Sequence, residues 1–354
     1  MDVLDQKREK SHDKIIGYWV LAICAMVFVM VVLGGLTRLT HSGLSMVEWK
    51  PLSGWIPPLS DSAWQEFFQK YKATPEYLKL NVGMTVEEFK SIFWLEYFHR
   101  LWGRIIGLVV FFPLIFFVIK RWLHPKLMMK LIGLFCLGGL QGLMGWYMVQ
   151  SGLVDQPDVS PYRLTAHLGL ALLIYGIGLW IALEILQPSY EEPRELNRRG
   201  GTTTLLVFIV VTILSGGFVA GNDAGLTYNT FPLMDGRLVP DGALELTPFY
   251  LNFFENIATV QFNHRLLAVS TLIMVLLFWV FRRSYMVTAR SRRILGGLAI
   301  AVLVQAVLGV FTLLLAVPAG LAIIHQATAL VVFSLALWLV HDGRPRKGFG
   351  SAPA

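Results

Sequence analysis

Residues 96–119 read EYFHRLWGRIIGLVVFFPLIFFVI, and residues 261–281 read QFNHRLLAVSTLIMVLLFWVF. Each stretch opens on a His-Arg pair and continues as an apolar run. At about 1.5 Å per helical residue, such a run is long enough to cross a hydrocarbon core of about 30 Å. The chain therefore spans a membrane, and it repeats itself. Outward from these two stretches, apolar runs at 16–36, 98–119, 130–150, 165–186, 203–221, 264–281, 294–315 and 320–340 predict eight spans. Only 15% of the 354 residues are charged, against about 25% in soluble domains, which excludes an ordinary soluble enzyme. The expected fold class is an all-α polytopic membrane protein whose eight transmembrane helices form two pseudo-symmetric four-helix bundles, over 1–190 and 191–354.

The repeat supports this division. Phe98-His99-Arg100 opens span two and Phe262-Asn263-His264-Arg265 opens span six; Gln141 to Gly145 in span three matches Gln305 to Gly309 in span seven; His167 matches His325. Ser42-Gly43-Leu44-Ser45 and Ala224-Gly225-Leu226-Thr227 follow spans one and five, each ahead of a Pro-Leu pair, Pro51-Leu52 and Pro232-Leu233. Because each half holds an even number of spans, both halves share one orientation in the membrane.

The net charge of +7 does not imply nucleic acid, because 19 of the 30 basic residues fall in alternate short segments: residues 7–14, 120–130, 194–199, 282–293 and the tail after Gly343. The positive-inside rule places these segments, and both termini, in the cytoplasm. The acidic residues Asp2, Asp5, Glu9 and Asp13 argue against a transit peptide, so a bacterial plasma (inner) membrane is expected. The long outer loops 37–97 and 222–263 should fold against the membrane surface, with Trp49, Trp55, Trp64 and Trp94 as headgroup anchors. Cys24 and Cys136 lie inside apolar runs and support neither a disulfide nor a cysteine metal site.

Four of the eight histidines, His12, His41, His124 and His341, fall in loops or inner segments, where a solvated imidazole suffices as a reading. His99, His167, His264 and His325 differ: they sit one to two turns inside spans two, four, six and eight, at one depth near the outer face. A lone histidine in a span is commonly a packing or proton-path residue. Four at matched repeat positions point instead to bis-histidine haem ligation, one axial imidazole from each of two helices diagonal in a bundle. Gly103, Ala171, Ala268 and Ala329 lie four residues after these histidines; they fit clearance for a porphyrin face, or simple tight helix packing. Arg100, Arg104, Arg163 and Arg265, with Arg38, lie at the same edge and could meet haem propionates or act as snorkelling anchors. Glu96 precedes His99 by three residues where Gln261 precedes His264, so carboxylate chemistry is expected in the N-terminal half only. The alternative is a Glu96–Arg100 ion pair at i, i+4.

Taken with GGLTRLTHSGLSM at 34–46, the motifs Glu96-Tyr97-Phe98-His99-Arg100, His167, His264-Arg265 and His325 resemble the haem A synthase family over nearly the whole chain. The resemblance implies oxidation of a ring methyl of haem O to a formyl group, through an alcohol and a hydrated aldehyde, to give haem A for terminal oxidases. It further implies that His99 and His167 bind the substrate haem in 1–190, with Arg100, Arg104 and Arg163 beside it. His264 and His325, with Arg265, would hold a cofactor haem b in 191–354, and Glu96 would be the catalytic carboxylate. The outer loops hold no cysteine, as in the cysteine-free proteobacterial and mitochondrial branch of that family. Implied partners are the lipid membrane, haem O, and transient contacts with haem O synthase and oxidase assembly factors; nucleic acid is not among them. A non-catalytic cytochrome b and a haem carrier are the alternatives.

Overall fold

A computed structural model describes residues 3–50, 53–154, 157–187, 199–282, 286 and 288–343. The Pro51-Leu52 pair, Arg194 and Arg198, and the tail arginines lie outside the described residues. The described chain is helical, with no strand beyond one isolated bridge between Met234 and Arg237. Its helices are α1 (Val3–Leu39), α2 (Asp61–Lys72), α3 (Pro75–Lys79), α4 (Val86–Ile119), α5 (Pro125–Gly152), α6 (Pro161–Leu186), α7 (Arg199–Gly221), α8 (Ile257–Arg282), α9 (Ala289–Leu314) and α10 (Ala319–Asp342). Eight of them, α1 and α4 to α10, are long and apolar enough to cross a membrane. All eight predicted spans are present. Helices suit that medium because their backbone groups satisfy one another without water.

Helix ends follow local chemistry. Val86 starts α4 twelve residues earlier than hydropathy indicates, because Thr85 and Glu88 form a reciprocal capping box. Proline occupies the first turn of α5 and α6, and the His124 side chain caps α5 by accepting from the Leu127 N–H.

In the N-terminal half, α1 packs on α4 and α6, and α5 packs on α4 and α6. In the C-terminal half, α7 packs on α8 and α10, and α9 packs on α8 and α10. Each half is thus a ring of four helices in which the second and fourth members lie diagonally. The halves meet through α1, α6, α7 and α10, where Leu172, Tyr175, Leu205, Ile209, Val332 and Phe333 are buried. Polar ties reinforce this seam: Gln326 Nε2 donates to the Val31 carbonyl at 2.8 Å, and the Tyr175 and Ser334 hydroxyls lie 2.8 Å apart. Outward-facing Phe111, Phe112, Phe116, Val118 and Ile119 are exposed, as lipid contact requires.

The loop after α1 is folded, as expected. Trp64, Phe68 and Tyr71 of α2 pack on Phe89, Phe93 and Tyr97 of α4 in a closed aromatic cluster. Trp64 is buried there, not at a headgroup position, because its ring meets Phe93 edge-on at 4.9 Å. His341 is also buried, its ring edge-on to Trp180 at 5.0 Å, so the solvated reading fails for it. His12 stacks on Trp122 at 3.9 Å.

Candidate functional site

His99, His167, His264 and His325 lie on α4, α6, α8 and α10, the diagonal members of the two rings. His99 and His167 share the N-terminal ring, and His264 and His325 the C-terminal one. Each half thus carries two of these imidazoles, on its diagonal helices.

Each imidazole rests on a glycine of a neighbouring helix. A Cβ added at Gly34 would come within 3.2 Å of His99 Cε1, and at Gly216 within 3.1 Å of His264 Cε1. At Gly145 it would come within 3.1 Å of His167 Cε1, and at Gly309 within 2.8 Å of His325 Cε1. Helix backbone thus forms the wall behind all four rings. These glycines were missed as site residues, although their signal was in the sequence: Leu33-Gly34-Gly35 repeats as Ser215-Gly216-Gly217, and Gln141 to Gly145 repeats as Gln305 to Gly309.

The two glutamines of that second motif face the rings as well. Gln141 Nε2 lies 3.2 Å from His167 Nε2 and Gln305 Nε2 lies 3.3 Å from His325 Nε2, while both Oε1 atoms are buried outside hydrogen-bond geometry. The Nδ1 atoms of His99 and His325 are likewise buried outside strict hydrogen-bond geometry, with the backbones of Leu33 and Gln305 beside the two rings. Paired imidazoles on diagonal helices, backed by glycine and with polar atoms unspent, fit the axial ligation of a flat iron macrocycle in each half. Among the described residues no cluster of three or more His, Cys, Asp or Glu offers a metal site of another kind. Two of the four small residues after the histidines serve packing: Gly103 faces Met30, and Ala171 packs with Val31 and Leu330.

Glu96 is buried and fully engaged. Its Oε2 accepts from the Ser45 hydroxyl and the Met46 N–H, each at 2.7 Å, and its Oε1 pairs with Arg100. Arg100 also donates to the Met46 and Glu48 carbonyls at 2.7 and 2.8 Å. The matched residues in the other half make a matched strap: Gln261 donates to the Ala224 carbonyl at 2.7 Å and accepts from Arg265, which donates to the Tyr228 and Thr230 carbonyls. Arg104 donates to the Lys50 carbonyl at 2.8 Å, and Arg163 donates to the Tyr147 carbonyl while covering its ring at 3.8 Å. Arg38 bonds the Ala220 carbonyl and Asp223. Every one of these arginines thus binds the protein itself, and a five-donor guanidinium can serve a carbonyl and a carboxylate together.

Eight helices long and apolar enough to cross a membrane, with two imidazoles on the diagonal helices of each half, define a multi-pass membrane protein of a particular kind. The model of the COX15-CtaA family, described as cytochrome oxidase assembly protein, matches residues 17–337. A heme A synthase of Nitrosospira multiformis is 52% identical over 346 residues, covering 96% of this chain and 97% of that one. The heme A synthase of Nitrosomonas eutropha is 49% identical over 95% of both chains. Heme A synthase COX15 of Arabidopsis thaliana is 46% identical over 94% of this chain and 75% of its own. The chain belongs to the COX15-CtaA family.

Proposed function

We propose that this protein is an oxidoreductase of haem A formation, taking a ring methyl of haem O to a formyl group for use in terminal oxidases. The observation that carries the reading is the repeated imidazole pair, His99 with His167 and His264 with His325, in a chain close to half identical to named heme A synthases. In this reading residues 1–190 form the bundle that binds substrate through His99 and His167. Residues 191–354 form the bundle that holds a haem b through His264 and His325, and that group supplies one-electron redox chemistry.

The protein's own residues orient and stabilise. The four glycine walls fix the ring planes. Arg100, Arg104 and Arg163, with Arg265 in the other half, stand where propionates would meet cations. Glu96 keeps its carboxylate one turn before His99, with three donors on its two oxygens. So engaged, it is placed to set a fixed negative charge near a developing cation. Gln261 offers no such charge in the other half. The basic segments support cytoplasmic termini in a bacterial inner membrane, with the imidazoles near the outer face. Transient contact with haem O synthase and oxidase assembly factors completes the proposal.

The test is pigment extraction from cells supplied with haem O. Wild type should yield haem A; Glu96→Gln should retain haem yet yield none or little. Haem A at the wild-type rate in Glu96→Gln overturns its role. Two unmodified haems in wild type would indicate a cytochrome, and release of unchanged haem a carrier.

A further inference from the structure

Between α8 and α9, at the end away from the imidazoles, lies a groove of about 590 Å³. Leu276, Gly296, Ala299 and Leu303 give it apolar walls, and Trp279, Arg292 and Arg293 line it as well. Gly296 opens it: a Cβ added there would meet only the Trp279 indole nitrogen, at 4.0 Å. The N-terminal half fills the same place with side chains. The match of Gln141 to Gln305 aligns Ile132 with Gly296 and Phe135 with Ala299, and that of His99 to His264 aligns Phe111 with Leu276. The Phe111 and Phe135 rings meet at 5.8 Å. The same register puts Met128 and Met129 where Arg292 and Arg293 stand. Space and positive charge thus replace bulk and neutrality together.

Both arginines are exposed, and Arg292 donates one N–H to the Met286 carbonyl at 3.1 Å. Among the described residues neither pairs with a carboxylate, whereas Arg290 pairs with Asp342 and, in the other half, Lys130 pairs with Glu184. A guanidinium has five N–H donors, so both keep donors for a phosphate. From Arg293 to Leu303 the groove follows α9 for about 15 Å, half of a hydrocarbon core of about 30 Å. That is the depth of one leaflet. We propose that the groove binds an anionic phospholipid of the inner leaflet, its phosphate held by Arg292 and Arg293 and one acyl chain laid along Gly296, Ala299 and Leu303. Basic pockets between helices on the cytoplasmic side suit acidic headgroups, and an indole such as Trp279 sits well at headgroup level. A gap between helices forfeits dispersion contacts on both walls, which a chain restores. The lipid then splints α8, which carries His264, to α9, whose Gly309 backs His325.

The test titrates the full-length protein in detergent with phosphatidylglycerol, phosphatidylcholine or glycerol 3-phosphate, reading retained ligand by native mass spectrometry and thermal unfolding. A basic residue at an anionic headgroup contributes roughly five-fold in affinity, so two should make phosphatidylglycerol bind about 30-fold tighter than phosphatidylcholine. Replacing both arginines, Arg292→Gln with Arg293→Gln, changes exposed positions only and should erase that preference. Gly296→Ile keeps both charges but supplies the side chain of the other half; it should lose the tight lipid and yet melt as high as lipid-free wild type. Equal binding of phosphatidylcholine overturns the anionic assignment, and glycerol 3-phosphate that competes as well as the lipid overturns the lipid itself. An unchanged preference in the arginine variant makes the lipid an adventitious one held by general positive charge and overturns the site. Tight phosphatidylglycerol in Gly296→Ile overturns the groove.

Discussion

Glu76 is a fully buried carboxyl beyond the membrane-crossing helices, its Oε2 accepting from the Tyr71 hydroxyl at 3.0 Å. Burial lifts it to about 7; Glu96 and Asp158 push the same way, while the Tyr71 hydroxyl and Arg38 pull it back. Since the folded state holds this proton more tightly than the unfolded chain, the linkage has a definite sign: stability declines as pH rises from about 4.5 toward 7, by up to roughly 1.4 kcal/mol per pH unit, and levels off above. Thermal unfolding in detergent at stepped pH should show that decline, and Glu76→Gln should flatten it; a wild-type slope in the variant refutes the assignment. Residues of this kind were illegible in the sequence, because Glu76 stands in a polar loop and only the tertiary aromatic cluster buries it. The arginines were half legible for a related reason. The Arg100 pair with Glu96 at i, i+4 carried a sequence signal, but the carbonyl partners of Arg100, Arg104, Arg163 and Arg265 carried none. The histidines were legible because an imidazole inside an apolar run is conspicuous, and doubly so at a repeat position.

At the scale of helices, the glycine walls decide how closely two elements approach at the site. Gly138 and Gly139 of α5 have open space where a Cβ would go, whereas Gly145 on the same helix, and Gly309 on α9, meet an imidazole. Alanine favours a helix interior over glycine by about 1 kcal/mol. Gly139→Ala should therefore be neutral or stabilising and leave haem content unchanged. Gly145→Ala should displace the His167 ring and cost about 10-fold in haem affinity, in the range seen when support of a ligand is lost. Gly309→Ala, with the closer contact of 2.8 Å, should cost more. Haem titration of the three purified variants, beside their melting temperatures, checks the order; a Gly309→Ala protein that binds haem like wild type refutes the wall. Helix number and type were legible, since hydropathy and length suffice for both. The early start of α4 was not read, although Thr85-Val86-Glu87-Glu88 carries the capping-box pattern; its first turns are polar on one side because they face the outer aromatic cluster and not lipid.

Across the whole molecule, the repeat made the two rings legible, but hydropathy could not say which helices form the seam. All eight spans are comparably apolar, and the choice of α1, α6, α7 and α10 depends on pairwise shape and on ties such as Gln326 to Val31 and Arg38 to Ala220 and Asp223. Orientation is a separate property, set by where cations resist crossing. The basic segments lie at the end of the helices opposite the imidazoles, so the loops holding α2, α3 and Met234 should face outward. The two native thiols make this testable. Cys24 is buried and Cys136 lies on an apolar outer face, so replacing both with alanine gives a clean background. Single cysteines at Val82 or Leu238, both exposed in the outer loops, should react with a membrane-impermeant maleimide in spheroplasts of intact cells. Those at Lys126 or Gly343 should react only after permeabilisation. Reaction of the Lys126 site in intact spheroplasts would invert the topology, and with it the side from which substrate haem must approach the paired imidazoles.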